Sequence, residues 1–216
     1  AEIIRDNYSR FDGFVVLHGT DTMSFSASAL SFMLDGLSKP VIFTGSQIPI
    51  GVPRTDGREN LITAIEIAAA KDNGSPLITE VCLYFQNRLY PGNRTKKLSP
   101  EELSAFASYN YRALADVGVG IHYRPAAMLR HAEGAAFSIN TDVSRDVAIV
   151  KIFPGLTMSV FRSIRVIPGV KGIILETYGA GNAPTFDWFL EIVRETIERG
   201  VAVRNVTQCA SGSVNM

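Results

Sequence analysis

VVLHGTDTMSFSASALSFML, residues 15–34, reads as a strand, a polar turn and a helix in succession. An apolar run stops at Gly19, the small polar residues Thr20, Asp21 and Thr22 follow, and a helical pattern begins behind them. Two uses are open to hydroxyls around a carboxylate at such a turn. They can cap the helix by accepting hydrogen bonds from its free N–H groups, which nearly every helix start requires. They can also line a ligand site, because open parallel sheets bind small molecules at the carboxyl ends of their strands. The turn by itself leaves both uses open.

The surrounding chain repeats the pattern. Strand-like runs occur at Gly13–His18, Pro40–Gly45, Glu80–Phe85, Val147–Phe153, Val170–Thr177 and Val201–Val206. Helical spacing fills most of the gaps. It predicts one face from Phe25, Ala29, Phe32 and Met33, a second from Leu61, Ile65, Ala68 and Ala69, and a third from Trp188, Ile192 and Ile197, ending at Gly200. Alternating strands and helices predict an α/β fold of parallel sheets, flavodoxin-like or Rossmann-like, and continuous apolar strands predict sheets covered on both faces. The pattern lapses after His122, in a stretch with Pro and short polar clusters. This predicts a larger N-terminal domain over residues 1–125, a connection over 126–146 and a smaller C-terminal domain over 147–216. So few residues bury little surface, so the C-terminal domain is expected to be incomplete.

Composition narrows the function classes. The chain has 216 residues, 46% of them hydrophobic and 19% charged, which suits an ordinary globular protein. Lys plus Arg equals Asp plus Glu at 21 each, so no global field favours nucleic acid or an anionic membrane. No apolar stretch approaches the roughly 18 residues of a membrane span. No signal-peptide pattern opens the sequence, and Cys82 and Cys209 read as reduced, buried thiols, so a cytoplasmic location is expected. The Asn-x-Ser/Thr triplets at Asn7, Asn93 and Asn205 are read as chance matches.

Four other strand ends carry small polar residues: TGSQIP at 44–49, PGNRTKK at 91–97, YGAGNAP at 178–184 and VTQCASG at 206–212. In a parallel sheet such ends share one edge and can gather into a crevice. Phosphate binding fits them poorly, because Gly179-Ala180-Gly181 has only part of a dinucleotide fingerprint and no P-loop occurs. His18, His122 and His131 lack metal-ligand spacing, and His18 reads as a packed core histidine. The G-x-S-x-G of a serine hydrolase is absent. Thr, Asp and Lys remain. A threonine hydroxyl needs a base, and a partly desolvated lysine can be one, because burial favours its neutral form. Either Lys96 or Lys97, if buried beside Thr20 and Asp21, would complete a Thr–Lys–Asp relay.

Six stretches, GFVVLHGTDTMSFSASALSFML, KPVIFTGSQIP, DGRENLITA, QNRLYPGNRTKK, ETYGAGNAP and VTQCASGSVNM, occur in order from about Asp12 to Met216. Together they resemble the bacterial-type L-asparaginases, with the nearest likeness to the cytoplasmic type I branch. The resemblance implies an amidohydrolase that converts L-asparagine to L-aspartate and ammonia, with no metal and no cofactor. It implies that Thr20, Lys97 and Asp21 form the inner relay, and that Asp21 also binds the substrate's α-ammonium. Ser46 matches a position whose backbone borders the substrate. Asn182 matches a polar residue beside an active site shared between subunits, which implies a homodimer or homotetramer. The family's nucleophilic threonine lies in a glycine-rich turn after the first strand, and no such turn precedes Arg10 here. Some type I relatives have a regulatory asparagine site at positions matching Lys96, Glu176, Thr207, Gln208 and Cys209. Lys96 and Glu176 stand where threonine and arginine are expected. Two other functions share the same core motifs: an asparaginase-like subunit of a tRNA-dependent amidotransferase, and a non-catalytic amino-acid-binding module.

Overall fold

The computed structural model describes residues 1–130, 134–165 and 167–215. The chain divides into two compact units, Ala1–Thr141 and Asp142–Met216.

In the first unit, α1 (Glu2–Asn7), β1 (Phe14–Leu17), α2 (Met23–Met33), β2 (Val41–Thr44), α3 (Gly57–Ala69) and β3 (Val81–Phe85) follow one another. β1 pairs with β2 and β2 with β3, all in parallel, with Phe14 opposite Val41 and Val41 opposite Val81. The sheet continues antiparallel through β4 (Arg88–Pro91), β5 (Ala115–Val117) and β6 (Ile121–Tyr123), so its spatial order is its chain order. The β3–β4 hairpin turns on Gln86 and Asn87, both at positive φ, the geometry that matches the sheet's twist.

β2 and β3 are buried along their whole lengths. On one face Val41, Phe43, Val81, Leu83 and Phe85 pack with Met23, Ala27 and Leu30 of α2. On the other, Ile42, Cys82 and Tyr84 pack with Ala64 and Ile67 of α3. The two connecting helices therefore lie on opposite faces, although both connections step the same way across the sheet. Two right-handed crossovers stepping one way would place both helices on the same face, so one of these two connections is left-handed, against a strong general rule.

The faces predicted from spacing need correction. α2 buries Met23, Ser24, Ala27 and Leu30, while Phe25 and Phe32 are 71% and 74% exposed. α2 carries apolar residues on two sides, Met23, Ala27 and Leu30 on one and Phe25, Ala29, Phe32 and Met33 on the other, so spacing could not choose its face. Close contact with the Gly92 turn selects the small-residue side: a Cβ at Gly92 would stand 3.3 Å from that of Ala27. α3 buries Asn60, Ala64 and Ile67 rather than the predicted set, and Ile65 is exposed. Its rotation is set by Asn60, which turns inward to bond the ends of β2 and β3.

The second unit holds β7 (Val147–Lys151), α4 (Met158–Arg165), β8 (Gly172–Thr177), α5 (Asp187–Glu198) and β9 (Ala202–Thr207). Its three strands are parallel in chain order. α5 buries Phe189, Ile192 and Thr196, while Trp188 packs at the rim and the predicted Ile197 faces outward. Val150, Ile173 and Leu175 pack with Phe161 of α4 and Phe189 and Ile192 of α5, so one face carries both helices. The expectation of two covered faces fails here: β8 alternates half-buried and buried residues, and Ile149 of β7 is exposed.

Other corrections concern single residues. Cys82 is buried and Cys209 exposed, both as free thiols; burial pushes the Cys82 thiol well above its ordinary range. Cys209 lies past the end of β9, where the strand no longer covers it. His18 is half-buried at the sheet rim rather than in the core, with Nδ1 2.7 Å from the Gly19 carbonyl and its ring 5.9 Å from Phe43. His131 lies outside the described residues. Within the segment read as a connection, Ser138–Ile139 pairs with Leu34–Asp35.

Candidate active site

The carboxyl ends of β1 and β2 lie side by side, because Leu17 pairs with Thr44 and the His18 N–H donates to the Thr44 carbonyl at 2.9 Å. Gly45 makes this approach possible: a Cβ there would stand 2.2 Å from the His18 carbonyl oxygen. The turn carrying Ser46 is thus brought against the turn leading to Thr20.

The capping question has a structural answer. The N-cap of α2 is Thr22, and no side-chain hydrogen bond closes it. The hydroxyl of Thr20 and the carboxylate of Asp21 engage Lys97 instead. Lys97 Nζ lies 2.8 Å from Thr20 Oγ1 and 2.7 Å from Asp21 Oδ1.

Lys97 arrives by a route that the sequence does not suggest. Strand order alone puts the PGNRTKK turn at the shared strand-end edge. β4 instead runs antiparallel, so its end lies beside the start of β3: Pro91 pairs with Cys82, and a Cβ at Gly92 would stand 2.9 Å from the Val81 carbonyl. The chain then passes through a single 3₁₀ turn, Gly92–Arg94, into a short hairpin in which Lys96–Lys97 pairs with Phe106–Ala107. Adjacent strand residues point to opposite sides. Lys96 is accordingly exposed, while the Lys97 side chain is only 16% exposed. The Asp21 side chain is 93% exposed, and among the described residues its carboxylate meets Lys97 through Oδ1 alone. The Lys97 ammonium, by its hydrogen bond first and its charge second, holds the Asp21 carboxyl below its ordinary value. The arrangement joins a hydroxyl, an amine able to carry its proton, and a carboxylate open to a cation.

Two residues that sequence reasoning missed hold this edge together. Asp56 is buried, and its carboxylate accepts the N–H groups of Gln47 and Ile48 at 3.0–3.1 Å. Asn60, also buried, donates to Asp56 and to the Gly45 carbonyl and accepts from the Gln86 N–H. Both lie in the DGRENLITA stretch, where an acid and an amide four residues apart share one helix face.

The remaining predicted residues belong to the second unit. Asn182 closes a tight turn after β8, exchanging backbone hydrogen bonds with Tyr178, and is exposed. Thr207 Oγ1 donates to the Gly179 carbonyl at 2.5 Å and accepts from the Cys209 N–H at 3.0 Å, which joins the turns after β8 and β9. Gln208 Nε2 donates to the Ile152 and Glu176 carbonyls at 2.6 and 2.7 Å. Lys96 belongs to the first unit, apart in the chain from Glu176, Thr207, Gln208 and Cys209. Among the described residues no group of three or more His, Cys, Asp or Glu side chains gathers as a metal site would require.

Comparison with known proteins gives matches over both units. Residues 1–128 match the family described as Asparaginase, N-terminal, and residues 146–216 match the Glutaminase/Asparaginase C-terminal domain. L-asparaginase 1 of Escherichia coli K12 is 46% identical over 216 residues, which are 100% of this chain and 62% of that protein. A glutamyl-tRNA(Gln) amidotransferase subunit of Thermococcus kodakarensis is 33% identical over 95% of this chain and 46% of that protein. The crystal structure of L-asparaginase I from Vibrio cholerae superposes with a TM-score of 0.91 at 42% identity, covering 100% of this chain and 64% of that one. The chain thus spans less than two thirds of the length of each of these three proteins.

Proposed function

The chain belongs to the asparaginase family, and on that premise we propose that it hydrolyses L-asparagine to L-aspartate and ammonia, with Thr20, Lys97 and Asp21 as catalytic residues. The observation that carries this reading is the Lys97 ammonium bridging the Thr20 hydroxyl and the Asp21 carboxylate. In the resting arrangement Lys97 is a donor to both. Asp21 Oδ2 is open to the substrate's α-ammonium, which competes with Lys97 for the same carboxylate. A neutral Lys97 can take the Thr20 proton. The relay then moves a proton to and from the group that attacks the side-chain amide. Ser46 and Asn182 are carried into this reading as residues bordering the substrate by the family likeness. A homo-oligomer, a cytoplasmic location and a regulatory asparagine site at Lys96, Glu176, Thr207, Gln208 and Cys209 belong to it on the same ground.

The test is ammonia release from L-asparagine by the full-length protein and three variants, with thermal melts as a folding control. Thr20→Val and Lys97→Met should lower turnover by about a hundredfold or more, since each removes a proton-transfer group, while Lys96→Met should be mild. Full turnover in Thr20→Val overturns the relay. A crippled Lys96→Met beside an active Lys97→Met overturns the assignment of the lysine.

A further inference from the structure

We propose that Gln47 is a positioning residue for Lys97, locked in place by Asp56; this rests on the relay reading above. The backbone of Gln47 is fixed first. Its N–H donates to both oxygens of the buried Asp56 carboxylate, at 3.1 and 3.0 Å. Asp56 is itself held by Asn60, whose amide also ties the ends of β2 and β3 together. Gln47 therefore starts from a rigid point on the strand-end edge.

Its side chain then reaches the segment bearing Lys97. Gln47 Nε2 donates to the carbonyls of Pro100 and Glu102, both at 3.1 Å. These carbonyls lie in the loop that joins Lys96–Lys97 to Phe106–Ala107. Otherwise that loop is braced by short-range bonds: Ser99 Oγ accepts the N–H groups of Glu101 and Glu102, and Leu98 N–H donates to Ala105. Such local bonds shape the loop without fixing where it stands against the β1–β2 edge. The strand that closes the hairpin is anchored separately, by Ala105 and Phe106 buried in the core and by the Tyr90 hydroxyl donating to the Phe106 carbonyl at 3.3 Å. The two Gln47 bonds tie the loop itself to the β1–β2 edge, and with it the backbone from which Lys97 spans to Thr20. A misplacement of about 1 Å in a reacting group can cost about a hundredfold in rate, so a fork of this kind has leverage on turnover without touching substrate.

Gln47→Met keeps the length of the side chain and removes both donors; Gln47→Glu keeps its shape and sets a carboxylate against two carbonyls. In the full-length protein both should lower kcat for ammonia release by about ten- to a hundredfold with KM changed less than about twofold. A second readout does not depend on turnover. The rate at which an amine-acetylating reagent modifies Lys97, read by peptide mass spectrometry against the exposed Lys171, should rise severalfold in both variants as Lys97 leaves its two partners. Wild-type kcat and labelling in either folded variant overturns the proposal. So does a lowered kcat with unchanged labelling, which would place Gln47 at the substrate instead, or loss of the fold in both variants, which would make Gln47 a prop of the whole unit. If the unaltered protein releases no ammonia, the asparaginase reading fails, and the labelling ratio alone still decides the role of Gln47.

Discussion

Asp21 is the residue whose charge can be followed by pH. Lys97 holds its carboxyl below the ordinary value of 3.8, so the pair's contribution to stability is complete above that value and disappears as pH falls through the lower folded-state value. The melting difference between the wild type and Asp21→Asn should therefore be steady at neutral pH and close in the acid limb. The difference will be small, because a carboxylate this exposed is screened by water. A difference that persists unchanged through the acid limb would show that Asp21 acts on stability other than through Lys97. Thr20→Val should leave the melt close to wild type, since no helix cap depends on the hydroxyl.

At the scale of elements, the strand-end edge depends on two close fits, the bare backbone of Gly45 and the buried carboxylate of Asp56. Gly45→Ala should lower stability by about 1–3 kcal/mol, because the new methyl meets a backbone carbonyl that cannot step aside. Gly51→Ala, with open space around it, is the control and should be near neutral. Asp56→Ala should cost about 1–3 kcal/mol for each N–H left unpaired at Gln47 and Ile48. Thermal melts check all three, and a neutral Gly45→Ala would mean the β1 and β2 ends part more easily than their contact suggests. The parallel strands were legible, because apolar runs bounded by turn residues have few alternatives; the short antiparallel strands β4, β5 and β6, which extend the first sheet beyond the expected parallel pattern, were not. The helix faces were not. α2 is apolar on two sides, and the phase of α3 follows Asn60, a polar residue that a search for apolar spacing passes over.

At the scale of the whole molecule, the boundary between the compact units falls between Thr141 and Asp142, in a run of exposed residues through Val147. Brief trypsin treatment of the native protein should cut first after Arg145, giving a fragment that begins at Asp146. First cuts within β2, β3 or α3 would contradict the division. The handedness of the two sheets also belongs to this scale. In the second unit α4 and α5 share a face, as two right-handed crossovers require, whereas α2 and α3 do not.

The α/β class, the strand runs and the family likeness came from the sequence, because hydrophobic period and turn chemistry are local properties of the chain. So did Thr20, Asp21 and the pair Lys96–Lys97 as candidates, since few other residues could supply a base for a hydroxyl. Tertiary structure decided the rest. The resemblance had already pointed to Lys97; what the fold supplies is its contact with Thr20, through the alternation of a two-residue strand whose hairpin stands against the end of β1. The fold enlisted Asp56, Asn60 and Gln47, whose partners lie up to 55 residues away in the chain. It also placed α2 and α3 on opposite faces, since the side a helix takes is fixed by packing across the sheet and is not written in the helix itself.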